Sequence, residues 1–365
     1  MQDKLDRLHF MDSMRAILMI LGVVLHSAQV FNPRQSWVLY SSHNDQLFNY
    51  LVNIISTFRM PAFFIVSGYF CFVTLNKYKV RKFLTLRLKR IIVPFIFTAL
   101  TLNSLQALLL DWSGWHQFEF FEYILKGEYV SHLWFLTNLV VYFIVASVLA
   151  AFFVPVIKPI GKVAEKCINV LPMTVVVFVM PLFSIMILGL NKIGFPLYSN
   201  FLDVFNTYSI LKYAPFFIFG VLMGTNRSFL QRISTTNPVL CLIVVMLSVF
   251  LVGHIENTDN WFTKVTVAYL ELLSTWFAVL ICFFIFYRYL NKQSKTMLYL
   301  SDASYSVYLF HHVTVIAVGV LLITLDFPAI LGAFTLMFVV TATTLFIHSH
   351  IILKNKILLF MFNGK

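Results

Sequence analysis

The chain carries too little charge for an ordinary soluble domain. Only 12% of its 365 residues are Asp, Glu, Lys or Arg, against roughly 25% in soluble proteins. Hydrophobic residues make up 60% of the chain, and 40 residues are phenylalanine, which is more apolar surface than one globular core buries. This composition excludes a disordered regulator and a cytosolic enzyme of the usual type, and it indicates a polytopic membrane protein.

Cysteine is equally scarce. The sequence has four cysteines, scattered and without a CxxC pair, which excludes a secreted disulfide scaffold and predicts inert thiols. Internal repeats and low-complexity tracts are also missing, which argues against a transporter built from inverted repeats. We therefore expect one transmembrane domain over 1–365, with no appended soluble domain.

Long apolar runs dominate what the chain does contain. A hydrocarbon core about 30 Å thick requires roughly 20 apolar residues per helix. The ten runs of about this length are 10–31, 50–75, 91–110, 131–153, 170–190, 208–225, 238–254, 265–287, 300–323 and 328–350. The first contains Asp12 and Arg15 and lacks a cleavage site, so we interpret it as a retained anchor. The predicted fold is an all-α integral membrane protein of about ten transmembrane helices.

The placement of lysine and arginine predicts the orientation. With the N-terminus inside, the inner segments hold 20 of the 27 basic residues, and the outer loops hold 4. Cytoplasmic loops are enriched in Lys and Arg, so both termini are expected to be cytoplasmic. The net charge of +12 is thus a signal of topology, and no nucleic-acid partner is needed to explain it.

Ionisable residues within the spans are the candidate functional groups, because a charge in the bilayer interior is costly unless it is paired or hydrated. In the first span, Arg15 and His26 are eleven residues apart. They therefore share a helix face, about 16 Å apart along the axis. Asp12 precedes Arg15 by three residues, and this spacing allows an ion pair.

Four further spans place ionisable side chains at a similar depth. Together with the first span, they contribute His26, Arg59, His132, Glu271, His311 and His312. Taken singly, each of these residues has a simpler explanation. A histidine can form a hydrogen bond between helices, and Arg59 and Glu271 can form a structural salt bridge. The nearby Trp134 and Trp37 can belong to the interfacial aromatic belt. Their common depth on five helices predicts one polar cavity.

A basic segment lies on the opposite side, at 77–90, where seven of fourteen residues are Lys or Arg. Retention on the inner side and binding to anionic lipid would explain part of this charge. Arg87 and Arg90 are three residues apart, however, and lie on one face of a helix. Such a pair is suited to bind a phosphorylated ligand through bidentate hydrogen bonds.

These residues together resemble membrane acyltransferase family 3. The first span carries Arg15-x10-His26, and four more segments follow in the family's order: FRMPAFFIVSGYF at 58–70, Arg87-x2-Arg90, SHLWFL at 131–136 and SYSVYLFHH at 304–312. The resemblance extends from Leu8 to about residue 350. Within the family, the chain looks most like a branch associated with succinylation of periplasmic glucans.

The resemblance implies transfer of an acyl group, succinyl or acetyl, from cytosolic acyl-CoA to a hydroxyl of an envelope glycan. It also implies a bacterial cytoplasmic (inner) membrane. Arg87, Lys89 and Arg90 are expected to hold the phosphates of acyl-CoA, which is a co-substrate and not a resident cofactor. We expect no metal, and the sequence does not indicate an oligomeric state.

The catalytic roles follow from what the reaction requires. A sugar hydroxyl needs a general base, for which we favour His26, with Glu271 or Asp12 orienting it. Arg59 is expected to stabilise the oxyanion, and His311 is a second candidate for the base. The candidates for binding the acceptor are Asp12, Arg15, Ser67, His132, Trp134 and His312.

Two departures from the family pattern and three alternatives accompany this hypothesis. Val313 follows His312 where family members commonly have proline, and no esterase domain follows the last span, so the chemistry is expected within the bundle. A covalent acyl-enzyme on His26 or Ser67 is an alternative to direct transfer. A proton-coupled transporter or flippase would also use buried His, Arg and Glu. A receptor or scaffold without chemistry is the third alternative.

Overall fold

The computed structural model describes residues 8–152, 170–201, 203–225, 227–255 and 260–365, and over these ranges the chain is almost entirely helical. The α-helices are His9–Val30 (α1), Gln46–Lys77 (α2), Val80–Thr98 (α3), Ser104–Trp112 (α4), Phe120–Leu125 (α5), Trp134–Phe152 (α6), Met173–Gly189 (α7), Thr207–Thr225 (α8), Arg227–Ser234 (α9), Pro238–His254 (α10), Trp261–Leu290 (α11), Lys295–Thr324 (α12), Ala329–Phe346 (α13) and Lys356–Asn363 (α14). The strands Asn200–Phe201 (β1) and Phe205–Asn206 (β2) pair in an antiparallel hairpin.

Nine helical segments within the described residues are long and apolar enough to cross a membrane. They correspond to nine of the ten expected spans. The remaining one, 238–254, is the apolar helix α10, which at 17 residues is shorter than the others. The multi-pass architecture is therefore present, whereas the exact number of spans and their orientation stay predictions. The expected inner loop at 154–169 lies outside the described residues.

Helix irregularities accompany the residues of interest. α2 continues through Pro61, whose ring nitrogen cannot donate a hydrogen bond to the preceding turn, where Arg59 lies. A π-helical segment, Ala99–Asn103, joins α3 to α4, and a second one, Ile347–Ile352, follows α13. π-helical turns often occur at functional sites. Because such a turn rotates the residues that follow it, the segment Ala99–Asn103 affects which side chains of α4 face the bundle.

The centre of the bundle is α1, which packs against α2, α11, α12 and α13. α2 and α8 pack backbone to backbone, because a Cβ at Gly68 would collide with the carbonyl of Phe217 and a Cβ at Gly220 with that of Ile65. Small residues at helix contacts permit this close approach in membrane proteins. The packing fixes the positions of the polar residues that α1, α2 and α8 carry.

The two ends of the bundle differ in their polar residues. We call the end that contains the C-terminal half of α1 and the N-terminal half of α2 the histidine end. The opposite end contains the start of α1 and of α3, and we call it the basic end. Since α1 runs from one to the other, its residues Arg15 and His26 belong to different ends.

Candidate active site

Four histidines form a compact cluster at the histidine end. The ring of His26 lies 5.3 Å from that of His311 and 4.9 Å from that of His312. His132 stacks on His312 at 4.6 Å and lies 5.4 Å from His311. α1, α12 and the 3-10 turn before α6 thus bring together side chains that are far apart in the sequence. Trp37, from the loop after α1, contacts His26 and His312 at 5.4 and 5.2 Å.

Hydrogen bonds fix the proton positions on three of these rings. His26 Nδ1 is 2.8 Å from Gln29 Oε1, and His312 Nδ1 is 2.7 Å from Gln106 Oε1. His311 Nδ1 is 2.6 Å from the carbonyl oxygen of Tyr308. Each partner is an acceptor only, so each Nδ1 carries the proton in the neutral ring and Nε2 keeps a lone pair. The cluster therefore offers several basic nitrogens within a small volume.

Several polar atoms of the cluster have no partner in the described part of the chain. His311 Nε2, both ring nitrogens of His132 and Arg59 Nε are buried without a hydrogen bond of normal geometry. Buried polar groups are almost always hydrogen-bonded in native proteins, so each exception requires an explanation. A neutral His132 has one N–H donor and one acceptor nitrogen, His311 Nε2 is an acceptor and Arg59 Nε is a donor, so groups that both donate and accept, such as hydroxyls, match this set.

Arg59 reaches this cluster over Gly22, one turn before His26 on α1. A Cβ at position 22 would collide with Arg59 Nη1 and lie 3.7 Å from His311 Nε2. Gly22 is therefore the point where the guanidinium of α2 passes close to the backbone of α1 and faces the His311 ring. The glycine is required for close approach, since the residue is helical and its backbone is unstrained.

His132 is held by a strained turn. Ser131, immediately before it, has φ 41° and ψ −123°, a left-handed conformation that non-glycine residues rarely adopt and that costs about 1–3 kcal/mol. The Tyr308 hydroxyl donates to the carbonyl of His132 at 2.7 Å, and Gln106 Nε2 donates to Ser131 Oγ at 3.5 Å. α12 and α4 thus hold His132 against the other imidazoles.

The two expected carboxylate partners of His26 lie elsewhere. Glu271 is exposed and forms no ion pair with Arg59 within the described residues. The α11 face that packs into the bundle carries Leu273, Ser274, Trp276 and Phe277, and Glu271 is about 200° away from Leu273. Asp12 is buried at the basic end and pairs with Arg15 at 3.5 Å. Gln29, not a carboxylate, contacts His26.

A cavity of about 210 Å³ opens at the basic end. Its charged lining consists of Arg15, Arg87, Arg90, Lys365 and Asp302. Four cations against one carboxylate make it a site for an anion. Ser67 and the apolar side chains of Phe63, Leu136 and Phe143 line the same cavity, so a ligand with a charged and an apolar part fits it.

Contacts within the bundle orient two of the arginines. Arg87 donates to the carbonyl of Phe70 at 2.9 Å and also to the hydroxyl of Thr74. Arg15 donates to the Ser301 hydroxyl. Arg15, expected to bind the acceptor, therefore lies with Arg87 and Arg90 at the basic end, and not in the histidine cluster. Ser67, which was also expected to bind the acceptor, likewise lies at the basic end, on the wall of the cavity.

Lys89 does not line the cavity. It is exposed, and its ammonium group lies 5.1 Å from the ring centroid of Phe360 on α14. Its neighbour Arg90 is on the cavity wall because successive helical residues point about 100° apart. The described residues thus divide the basic motif of α3 into Arg87 and Arg90 at the cavity and Lys89 on an outer face.

Aromatic side chains connect the cavity with the histidine cluster. Phe135 lines the cavity and lies 6.2 Å from the ring of Tyr308. Tyr308 in turn contacts His132 and His311, at ring distances of 5.4 and 6.0 Å. Phe135 and Tyr308 therefore form a layer of side chains that contacts both the anion site and the imidazoles.

Trp134 lies beside the cluster, where it stacks on Tyr213 of α8 at 5.4 Å.

Residues that the sequence did not single out are Gly22, Gln29, Gln106, Tyr213 and Tyr308. Gln29 lies one turn after His26, a spacing that favours contact, and Tyr308 lies within the SYSVYLFHH segment. Gln106 carries no such signal. No group of three or more His, Cys, Asp or Glu side chains with metal-binding geometry occurs among the described residues.

Comparisons with known proteins identify the family of the chain. The profile of acyltransferase family 3, described as an acyltransferase domain, matches residues 8–349. Glucans biosynthesis protein C of Salmonella gallinarum is 27% identical over 371 residues, covering 98% of this chain and 95% of that protein. The protein of the same name from Salmonella schwarzengrund is 27% identical over 374 residues, with the same coverage. No solved structure gives a significant match. The chain belongs to acyltransferase family 3 and is a multi-pass membrane O-acyltransferase.

Proposed function

We propose that the protein transfers an acyl group from acyl-CoA, bound at the basic end, to a hydroxyl of a glucan bound at the histidine end. The observation that carries this proposal is the cluster of four imidazoles beside Arg59, in which nitrogens of His132 and His311 and Arg59 Nε have no partner among the described residues. A sugar hydroxyl can both donate to and accept from such groups. The glucan is suggested by the name of the two Salmonella relatives, glucans biosynthesis protein C.

His26 is the proposed general base. Its Nδ1 donates to Gln29, so Nε2 is free to accept the proton of the acceptor hydroxyl. The hydroxyl oxygen then forms a bond to the thioester carbonyl carbon, and Arg59 stabilises the negative charge on the carbonyl oxygen. Collapse of this intermediate breaks the carbon–sulfur bond, and the coenzyme A thiolate leaves and takes up the proton from His26.

The basic cavity is the proposed donor site. Arg15, Arg87 and Arg90 would bind the phosphates, since guanidinium groups form bidentate hydrogen bonds with them. The apolar wall formed by Phe63, Leu136 and Phe143 accommodates the less polar arm that carries the thioester. For the carbonyl to reach His26, the layer of Phe135 and Tyr308 must open, which makes these two rings a gate for the acyl group.

Ser67 offers a two-step variant of the same reaction. It lines the donor cavity, so its hydroxyl can accept the acyl group from coenzyme A before the glucan does. Ser67→Ala separates the two routes: direct transfer keeps its rate, whereas an acyl-serine route is lost. Trapping labelled protein in the absence of acceptor, followed by mass spectrometry, identifies the acylated side chain.

The proposal also places the protein in the bacterial inner membrane, with the basic end on the cytoplasmic side, where acyl-CoA is made. The test is mass spectrometry of envelope glucans from cells with and without the gene. A loss of succinyl or of acetyl groups identifies the donor. Unchanged glucans in cells that lack the gene would contradict the glucan acceptor, and transport of a glycan without acylation would support a carrier instead.

A further inference from the structure

Five side chains at the histidine end make a continuous series of contacts outside the reaction centre. Tyr198 stacks on Tyr208 at 5.3 Å and 27°. The Lys212 ammonium group lies 5.6 Å from the ring centroids of Tyr208 and Tyr213. Tyr213 stacks on Trp134 at 5.4 Å and 25°. We call Tyr198, Tyr208, Lys212, Tyr213 and Trp134 the aromatic lane.

The lane leads from the protein surface to the histidine cluster. At its outer end, Tyr198 is 67% exposed, beside the hairpin that carries the exposed Asn200 and the half-buried Asn206, whose amide groups are hydrogen-bonded at 2.8 Å. At its inner end, Trp134 follows His132 by two residues. The three residues between these ends are half-buried, so a ligand can run along them without crossing the bundle.

The chemistry of the lane suits a carbohydrate. The C–H faces of a sugar ring are apolar and its edges carry hydroxyls, so sugars bind where flat aromatic rings lie beside hydrogen-bonding groups. Lys212 brings three N–H donors to the tyrosine rings, and within the described residues no carboxylate lies within ion-pair distance of it. Glu271 interacts with Lys212 electrostatically but forms no ion pair with it among the described residues, so the N–H donors of Lys212 remain available to sugar hydroxyls.

The pattern differs from that of an interfacial aromatic belt. Belt residues are single Trp or Tyr side chains at the headgroup level, and nearby lysines extend toward water. Here the rings are stacked in pairs, and the lysine lies between two tyrosines. The lane also ends beside the reaction centre, because Tyr213 is close enough to Arg59 to interact with it electrostatically and Trp134 follows His132 by two residues, which a belt does not require.

We propose that the aromatic lane is the subsite for the sugar units of the acceptor next to the one that is acylated. This inference rests on the proposed function, because it takes the acceptor to be a glycan. It deepens that function in one respect: the enzyme acts on an oligosaccharide chain and discriminates against a single sugar. Chain-length preference is then a property of α8 and the hairpin, and not of the histidine cluster.

The test compares acceptors of different length on the purified protein in detergent. Tyr208→Ala and Lys212→Ala are expected to raise the KM for a glucose oligomer by about two- to tenfold, the loss of one stacking or cation–π contact. The KM for glucose and for acyl-CoA should not change. Tyr208→Phe keeps the ring and should resemble the unchanged protein, as should Trp112→Ala, which removes an aromatic residue that is 83% exposed.

A binding experiment without donor keeps the two proposals apart. Isothermal titration of a glucose oligomer should show binding to the unchanged protein and weaker binding to Tyr208→Ala. Equal binding by both proteins, or no binding to either, overturns the proposal that the aromatic lane binds the sugar units of the acceptor. If the oligomer binds through Tyr208 but no acyl-CoA donor ever acylates it, the lane stands as a carbohydrate site and the proposed transfer fails.

Discussion

The histidine end and the basic end both concentrate nitrogen-rich side chains, but they do so in opposite ways. At the basic end two guanidinium groups are oriented by neighbours: Arg87 donates to α2, although its Nε is buried without a partner among the described residues, and Arg15 donates to Ser301 and pairs with Asp12. At the histidine end, ring nitrogens of His132 and His311 are buried without partners in the described part of the chain. The first end carries fixed positive charge, whereas the second presents unpaired imidazole nitrogens.

This difference indicates how the work is divided. Fixed positive charge recognises an anion and needs no proton transfer. Neutral imidazoles exchange protons with a hydroxyl, and they need the ligand to be present. Changes at the histidine end should therefore lower the rate of transfer, and changes at the basic end should weaken donor binding. The following predictions test that separation.

The largest effect is expected for His26→Gln. Loss of a general base typically slows a reaction by 10²–10⁴-fold, so kcat should fall by about 10³-fold while the affinity for acyl-CoA stays unchanged. Acyl transfer to a glucan and donor binding should be measured on the same preparation. His43→Gln is the matched control, since His43 is an exposed histidine that pairs with Asp326. More than a tenth of the normal kcat in His26→Gln would contradict its role as the base.

A smaller loss is expected for Arg59→Gln. Removing one group that stabilises an oxyanion costs about 10²-fold in kcat, and Arg59→Lys should restore part of it, because the charge is kept without the forked geometry. Gly22→Ala should reproduce the loss, since its Cβ would displace the guanidinium. Normal kcat in all three variants would mean that Arg59 is a structural residue only.

Arg90→Ala should act at the other end. Loss of one charge-assisted hydrogen bond to a phosphate is worth roughly 1.5–3 kcal/mol, so the KM for acyl-CoA should rise by about tenfold or more, with little change in kcat. Lys89→Ala is a sharp control, because it removes the adjacent charge from outside the cavity. Equal effects of the two variants would show that the segment attracts the donor or the lipid by net charge alone.

The smallest effect is expected for Gln29→Leu. It removes the hydrogen bond that holds the proton on His26 Nδ1, a loss of about 1 kcal/mol, and kcat should fall roughly three- to tenfold. Gln29→Glu supplies an acceptor again and should keep or raise the rate. Rates measured across pH distinguish a positioning role, which shifts the pH profile, from a loss of folded protein, which does not.

The sequence was sufficient for much of the fold because length and hydropathy alone identify membrane helices. It also identified the histidines and Arg59, since buried ionisable groups are rare in spans. Glu271 was misplaced because depth in the membrane does not determine the helix face. Lys89 was grouped with Arg90 because the two are adjacent in the sequence, although they point in different directions on the helix.

Other parts of the site carry no signal in a single sequence. Gln29 and Gln106 are neutral, so their burial costs too little to mark them as functional. The strained turn at Ser131 and the close approach at Gly22 depend on which helices are neighbours, and this is set by packing across the whole bundle. The aromatic lane depends on the same packing, because α6 and α8 bring Trp134 and Tyr213 together.

The central claim is that an acyl group enters at the basic end and leaves on a hydroxyl at the histidine end. It is tested most directly in proteoliposomes of known protein orientation, with labelled acyl-CoA on one side of the membrane and a glucose oligomer on the other. The account predicts acylated oligomer only when acyl-CoA is on the side of Arg90 and the oligomer on the opposite side. Product that forms only when both substrates share one side would contradict it.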